Sequence, residues 1–105
     1  MEKCKKYIVV PGDCGYYKED LIQVDAYIYT EDFFIHKSLH NKNKWVVSCN
    51  RCGRQVFTAN GSLKQLIEKF ENSKHKTTYF KIIENESFKV LVNMYEELKS
   101  MKGVN

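Results

Sequence analysis

The apolar residues of this chain change their spacing at Asn60-Gly61-Ser62, and this change limits the folds that the chain can adopt. Before the tripeptide, apolar and polar residues alternate, as in residues 21–30, which is typical of a half-buried strand. After it, apolar residues recur at the spacing of an amphipathic helix: Leu63, Leu66, Ile67 and Phe70. The sequence therefore predicts an α+β fold, with an antiparallel sheet in the first half and helices in the second.

Short β-branched and aromatic runs separated by turn residues indicate the strands of this sheet. The predicted strands are residues 6–10, 21–30, 33–36, 45–48 and 55–58. Pro11-Gly12-Asp13 is a turn sequence that ends the first of them. The last two strands flank Cys49-Asn50-Arg51-Cys52-Gly53, as the two arms of a hairpin do.

The second half predicts two amphipathic helices, and Ser62 or Asn60 caps the first of them. Residues 77–83 are β-branched and aromatic, which indicates a further strand between the helices. Asn85 is a candidate cap for the final helix, and Gly103 lies beyond its end. Both apolar stripes are interpreted as core, with a partner groove as the alternative.

Length and hydropathy restrict the class of protein. A chain of 105 residues predicts one domain, residues 1–105. Its apolar runs are only a few residues long, which excludes a membrane-spanning helix. The run Tyr7-Ile8-Val9-Val10 is too short for a signal peptide, so we expect a cytoplasmic protein without membrane partners.

The strongest local motif is Cys49-x-x-Cys52 followed by Gly53. Two thiolates at this spacing on a tight turn can bind one metal ion, and glycine accepts the positive φ that such a turn often needs. A redox CxxC motif is the competing function, but it requires the first cysteine at the start of a helix. The strand-like residues on both sides favour a zinc knuckle at the tip of a hairpin.

Zinc normally takes four ligands, and this motif supplies two. The remaining cysteines, Cys4 and Cys14, flank the first strand, so the sequence predicts a closed site formed by Cys4, Cys14, Cys49 and Cys52. Such a site is structural, and its binding free energy enters folding directly. Two alternatives remain: ligation by His36 and His40, and buried cysteines that act as small apolar residues without a metal.

Charge is segregated along the chain, whose net charge is +4. Residues 33–60 contain five basic residues and no acidic one, whereas residues 13–32 contain six acidic residues and one lysine. The basic segment is a candidate partner-binding surface, with an aromatic ring available to stack: Lys42, Lys44, Trp45, Arg51 and Arg54. The neighbouring acidic segment would repel nucleic acid, which favours a protein partner.

The sequence contains no phosphate-binding glycine loop, no HExxH motif and no nucleophile elbow, which predicts a protein that is not an enzyme. Binding therefore remains as the expected activity. The first candidate is contact with a protein, and the alternative is a zinc-knuckle protein that binds nucleic acid or regulates transcription.

With its short length, its abundance of lysine, asparagine and tyrosine, and Cys4, Cys14 and Cys49-Asn50-Arg51-Cys52-Gly53, the chain resembles small zinc-containing anti-CRISPR proteins of phages. This resemblance implies a protein that folds around one zinc ion in the host cytoplasm. It implies that the partner is a type II RNA-guided nuclease, contacted at its recognition lobe so that target DNA cannot load. The positive net charge departs from acidic mimics of DNA, which favours blockade by protein contact.

Overall fold

The computed structural model of the protein describes residues 1–11 and 19–104. These residues form five strands followed by three helices. In chain order the elements are β1 (Lys3–Pro11), β2 (Glu19–Ile28), β3 (Phe33–Lys37), β4 (Lys44–Cys49), β5 (Gln55–Asn60), α1 (Leu63–Glu71), α2 (Lys74–Ile82) and α3 (Glu86–Met101). The α+β arrangement predicted from the sequence is confirmed.

The strands form one antiparallel sheet in the order β1-β2-β3-β4-β5, so each strand pairs with its neighbour in the sequence. β1 and β5 lie at opposite margins of this order. Nevertheless, the amide of Val9 on β1 donates a 3.0 Å hydrogen bond to the carbonyl of Gly53, just before β5. The sheet therefore curls until its first strand reaches the turn between its last two strands.

The sheet has buried residues on both of its faces. One face, which we call the helix-covered face, carries Phe33, Ile35 and Val47, and the helices pack on it. The opposite face, which we call the inner face, carries a separate cluster around Ile8 and Phe34. No described helix contributes to the inner cluster, because strands of the curled sheet cover it.

Aromatic rings attach the helices to the helix-covered face. Phe33 on β3 lies with its ring centre 5.0 Å from that of Phe70 on α1 and 4.6 Å from that of Tyr79 on α2. Phe88 on α3 contacts Tyr79 edge-on at 6.2 Å. Aromatic pairs of this kind stabilise by about 0.5–1.5 kcal/mol beyond their buried area. A single core on this face therefore includes residues from all three helices.

The start of α1 is confirmed in detail. The Ser62 hydroxyl accepts a hydrogen bond from the Gln65 amide, and the Gln65 side chain accepts one from the Ser62 amide. This reciprocal pair satisfies two amides that the first turn of a helix leaves without partners. α3 begins after Asn85, whose side chain makes no capping hydrogen bond, and Gly103 lies beyond its end at a φ of +74°.

The strand predicted at residues 77–83 is wrong, because this segment lies within α2 and the residue after it. Its β-branched and aromatic composition favours a strand, but only Tyr79 is buried and Ile83 packs against the core four positions later. That spacing places both residues on one side of a helix. Core contacts on this side therefore override the local preference, and the described chain has three helices, not two.

None of the helices in the described residues is long and apolar enough to cross a membrane.

A histidine and a serine form a polar pair on the inner face. His36 and Ser48 are 3% and 1% exposed, and Nε2 of His36 lies 2.9 Å from the Ser48 hydroxyl. Nδ1 of His36 lies 2.9 Å from the carbonyl of Lys37, which can only accept, so Nδ1 carries the proton and Nε2 accepts from Ser48. Burial lowers the pKa of His36 below 6.5, more than its backbone contact raises it.

This pair predicts that the protein loses stability in mild acid. Below a pH of 6.5, an unfolded histidine binds a proton that the buried His36 does not bind. The free energy of unfolding therefore decreases as the pH falls from 6.5 to the lowered pKa of His36. Urea unfolding of the wild type and of His36→Gln across this range should show a steeper loss for the wild type. The exposed His40→Gln is the control and should keep the wild-type slope; equal slopes for all three proteins would contradict the prediction.

Candidate thiol site at the turn between β4 and β5

Residues 49–54, which we call the thiol turn, connect β4 to β5. Gly53 donates its amide to the carbonyl of Cys49 at 2.9 Å, and Cys49 donates its amide to the carbonyl of Arg54 at 2.8 Å. Gly53 has a φ of +67°, which side chains other than glycine rarely permit. The tight turn brings the side chains of Cys49 and Cys52 into direct contact. The predicted hairpin with a CxxC turn is confirmed.

Both sulfurs of the thiol turn receive backbone hydrogen bonds. The amides of Cys52 and Arg51 point at the sulfur of Cys49, and the amide of Arg54 points at the sulfur of Cys52. Amides aimed at sulfur stabilise a thiolate, which is the form that binds a metal. Both cysteines are free thiols with 1% and 3% exposure.

The two thiols differ in acidity because they are in contact. A hydrogen bond from the Cys52 thiol is the largest influence and lowers the pKa of Cys49 to about 6, although burial opposes it. The same hydrogen bond and burial raise the pKa of Cys52. The contact therefore favours negative charge at Cys49 over negative charge at Cys52.

Tyr79 connects α2 to this charge. Its hydroxyl lies 3.1 Å from the sulfur of Cys49, and both groups are buried. Burial, followed by this hydrogen bond, raises the pKa of Tyr79, so the phenol remains a donor to the thiolate. The sequence does not identify Tyr79 as part of the site, because the composition of residues 77–83 predicts a strand. The four-residue spacing of His75 and Tyr79, which places both on one side of a helix, is the signal that could have identified it.

α3 contacts the thiol turn through Tyr95. The Tyr95 hydroxyl donates a 2.6 Å hydrogen bond to the carbonyl of Tyr7 on β1, and its ring lies against Gly53. A Cβ atom built on Gly53 would lie 2.3 Å from Cε1 of that ring. Glycine is therefore required here both by the positive φ and by the close approach of the ring.

An ion pair joins the thiol turn to the start of β2. Both terminal nitrogens of Arg54 donate to the carboxylate of Glu19, at 2.7 and 2.8 Å. This bidentate bond lowers the pKa of Glu19. Glu19 is paired with Pro11 at the end of the β1–β2 ladder. Pro11 and Glu19, which border residues 12–18, therefore lie close to the thiol turn.

The structure brings together only part of the predicted ligand set. Cys49 and Cys52 are adjacent, whereas Cys4 lies opposite Ala26 on the inner face, packed with the cluster around Phe34. Cys14 lies outside the described residues. Among residues 1–11 and 19–104, no three histidine, cysteine, aspartate or glutamate side chains are grouped closely enough to hold a metal.

The histidines named as alternative ligands lie elsewhere. His36 is on the inner face and bonded to Ser48, and His40 is exposed between β3 and β4. His75, on the first turn of α2, lines the same cavity as the two thiols. Its ring lies 5.2 Å from that of Phe57.

The basic residues predicted to bind a partner lie toward both ends of β4. Lys44 and Trp45 begin β4 and Lys42 lies just before it, while Arg51 lies beyond its other end. A six-residue strand separates the two groups by roughly 17–20 Å. Arg54 already binds Glu19. The indole of Trp45 is covered by the ammonium of Lys37, 5.1 Å from its centre.

Comparison with known proteins finds no family whose model matches this chain. It finds no similar curated protein and no similar solved structure either.

The position of Gly53 leads to a prediction for stability. Gly53→Ala should lower the free energy of unfolding by about 2–4 kcal/mol. The alanine would have to adopt a positive φ, and its Cβ would also collide with the ring of Tyr95. Gly103 also has a positive φ, but its added Cβ would meet no atom within 4 Å, so Gly103→Ala should cost only about 1 kcal/mol. Chemical denaturation of both variants measures the difference; equal losses would contradict the packing of Tyr95 on the thiol turn.

Proposed function

We propose that this chain is a non-enzymatic binding protein that holds one structural zinc ion at Cys49 and Cys52. The observation that carries this proposal is the thiol turn, in which two free thiols in contact both accept backbone amides. Cys49 favours the thiolate, which is the form that zinc requires. The burial of both sulfurs and the hydroxyl of Tyr79 beside Cys49 favour a structural site.

A tetrahedral site needs two further ligands. Cys14 is the third ligand of the proposal. It belongs to the segment between Pro11 and Glu19, and these two bordering residues lie beside the thiol turn. Cys4 lies on the inner face, away from the thiol turn, whereas His75 lines the cavity next to the thiols. His75 is therefore the candidate for the fourth position, and variants of Cys4 and His75 test this choice.

The zinc proposal predicts one bound zinc per chain in the purified protein. Cys49→Ser and Cys52→Ser should each release it and unfold the domain, because a structural zinc ion contributes on the order of 10 kcal/mol. Elemental analysis and thermal melting measure both effects. Cys4→Ser and His75→Gln form the comparison, and only the variant that removes a ligand should lose metal. Native protein without zinc, or a Cys49→Ser variant with unchanged metal content and melting, would refute the site.

We propose further that the chain acts by contact with a protein, and that this partner is a type II RNA-guided nuclease. The resemblance to anti-CRISPR proteins supports the choice of partner. Exposed apolar residues on one side of α3, which we call the α3 stripe, support protein contact: Val90, Met94 and Met101 are 57%, 37% and 82% exposed, and Glu97 lies between the two methionines. Exposed apolar patches of this kind are typical of interaction surfaces.

The alternative partner, nucleic acid, has weaker support. Phosphate binding requires basic residues that lie on one surface, and the predicted ones are divided between the two ends of β4. Arg54 is neutralised by Glu19. Contact through the α3 stripe does not depend on these residues, so the two modes respond differently to salt.

Met94→Glu tests the proposed contact. It places a charge in the α3 stripe and should weaken binding to a guide-loaded type II nuclease at least about tenfold, as expected for a central interface side chain. Asn93→Glu adds the same charge at the neighbouring exposed position and should bind as the wild type does. Co-elution and titration measure binding. Retention of DNA or RNA alone, with steep salt dependence, would contradict the proposal.

A further inference from the structure

The thiol turn borders an apolar cavity of about 420 Å³ between β5, α2 and α3. We call it the thiol pocket. Its lining residues come from four parts of the chain: Cys49, Cys52, Arg54, Gln55, Val56, Lys74, His75, Thr78, Tyr79, Ile82, Phe88 and Leu91. Pockets for small organic ligands are typically about 300–1,000 Å³, so this cavity has the size of a small-molecule site.

Most of the wall of the thiol pocket is apolar. Val56 on β5, Ile82 on α2, and Phe88 and Leu91 on α3 provide aliphatic and aromatic surface from three directions. Burying apolar area against such walls stabilises a ligand by roughly 25 cal/mol per Å². The shape and lining therefore favour a ligand with an apolar body.

Basic side chains lie at the α2 end of the pocket and beside the thiol turn. Lys74 and Arg54 line the pocket, and its described lining includes no aspartate or glutamate. Arg54 is occupied by Glu19. Lys74 is exposed and forms no ion pair with a described residue, so its ammonium is available to a bound anion.

The first turn of α2 adds to this positive character. Ser73 precedes the helix, but its side chain does not cap the first-turn amides and instead donates to the carbonyl of Phe70 at 2.7 Å. The first residues of α2, Lys74 and His75, line the pocket. The positive end of the helix dipole therefore lies at the same side of the pocket as the ammonium of Lys74.

We propose that the thiol pocket binds a small apolar anion, a carboxylate or sulfonate carried on an apolar body. The body lies among Val56, Ile82 and Leu91, and the charge lies near Lys74 and the start of α2. The zinc proposal uses Cys49, Cys52 and His75 from the lining of the pocket, whereas the apolar walls belong to β5, α2 and α3. Zinc content and probe binding are therefore measured separately. A ligand in it would bridge α2 and α3 and stabilise their packing on the sheet.

The experiment uses the full chain as purified, with 8-anilinonaphthalene-1-sulfonate as the probe. This probe is an apolar anion whose fluorescence rises in an apolar site. We expect saturable binding that decanoate displaces and that decylamine, a cation with a tail of the same length, does not. The uncharged N-phenyl-1-naphthylamine should report the apolar walls without the charge.

Two matched pairs of variants locate the site. Thr78→Trp places an indole at an exposed residue that lines the pocket and should abolish binding, whereas Thr77→Trp, at the adjacent exposed residue outside the lining, should not. Lys74→Glu should weaken the affinity for the anionic probe about three- to fivefold, which is the effect of one surface ion pair. It should leave the affinity for the uncharged probe unchanged. Lys81→Glu, on the same helix but outside the lining, is its control.

Several results would overturn the proposal. These are the lack of saturable binding, equal effects of Thr77→Trp and Thr78→Trp, and displacement by decylamine as effective as that by decanoate. An anionic probe that binds Lys74→Glu as well as it binds the wild type would also overturn it. Zinc content, measured on the same samples, shows independently whether the metal proposal holds.

Discussion

The packing of Tyr95 against Gly53 is the contact on which the arrangement of the protein depends. At this point the ring of α3, the carbonyl of Tyr7 on β1 and the turn between β4 and β5 meet within hydrogen-bond or van der Waals distance. The amide of Val9 adds a bond to the same glycine. A side chain at Gly53 would separate all three, so the curl of the sheet and the position of α3 are determined together.

This packing also explains the chemistry of the thiol turn. The turn is tight because Gly53 permits a positive φ, and its tightness places the sulfurs of Cys49 and Cys52 in contact. α2 then covers the pair and contributes the Tyr79 hydroxyl. Amides, a phenol and a neighbouring thiol all donate toward Cys49, which concentrates negative charge at one buried atom.

Local patterns in the sequence were sufficient for much of the fold. Alternation predicted the strands, and the spacing from Leu63 predicted α1 with its cap. Residues 77–83 show the limit of such patterns, because their composition favours a strand while contacts with distant rings hold them in a helix. Phe80 and Ile82, which a strand model would bury in part, remain 39% and 44% exposed.

The candidate site was predictable only where its residues are adjacent in the chain. The spacing of Cys49, Cys52 and Gly53 is typical of a tight turn, so the sequence alone predicts the thiol turn. The position of Cys4 depends on which face of β1 it occupies, and that is decided by pairing with Ala26 across the ladder. The division of the basic residues arises in the same way, since Lys42 and Arg51 are close in sequence but lie beyond opposite ends of β4.

The curl of the sheet has a consequence for behaviour at high concentration. An outermost strand normally offers unsatisfied amides to strands of other molecules, which is a route to fibrils. Here the amide of Val9 donates its hydrogen bond to the carbonyl of Gly53 in the same chain. The other end of β1 carries Lys3 and Lys6, whose charges repel an identical strand. Two features therefore oppose pairing of β1 with the same strand of another molecule. At one end a hydrogen bond within the chain occupies an amide, and at the other end positive charges repel.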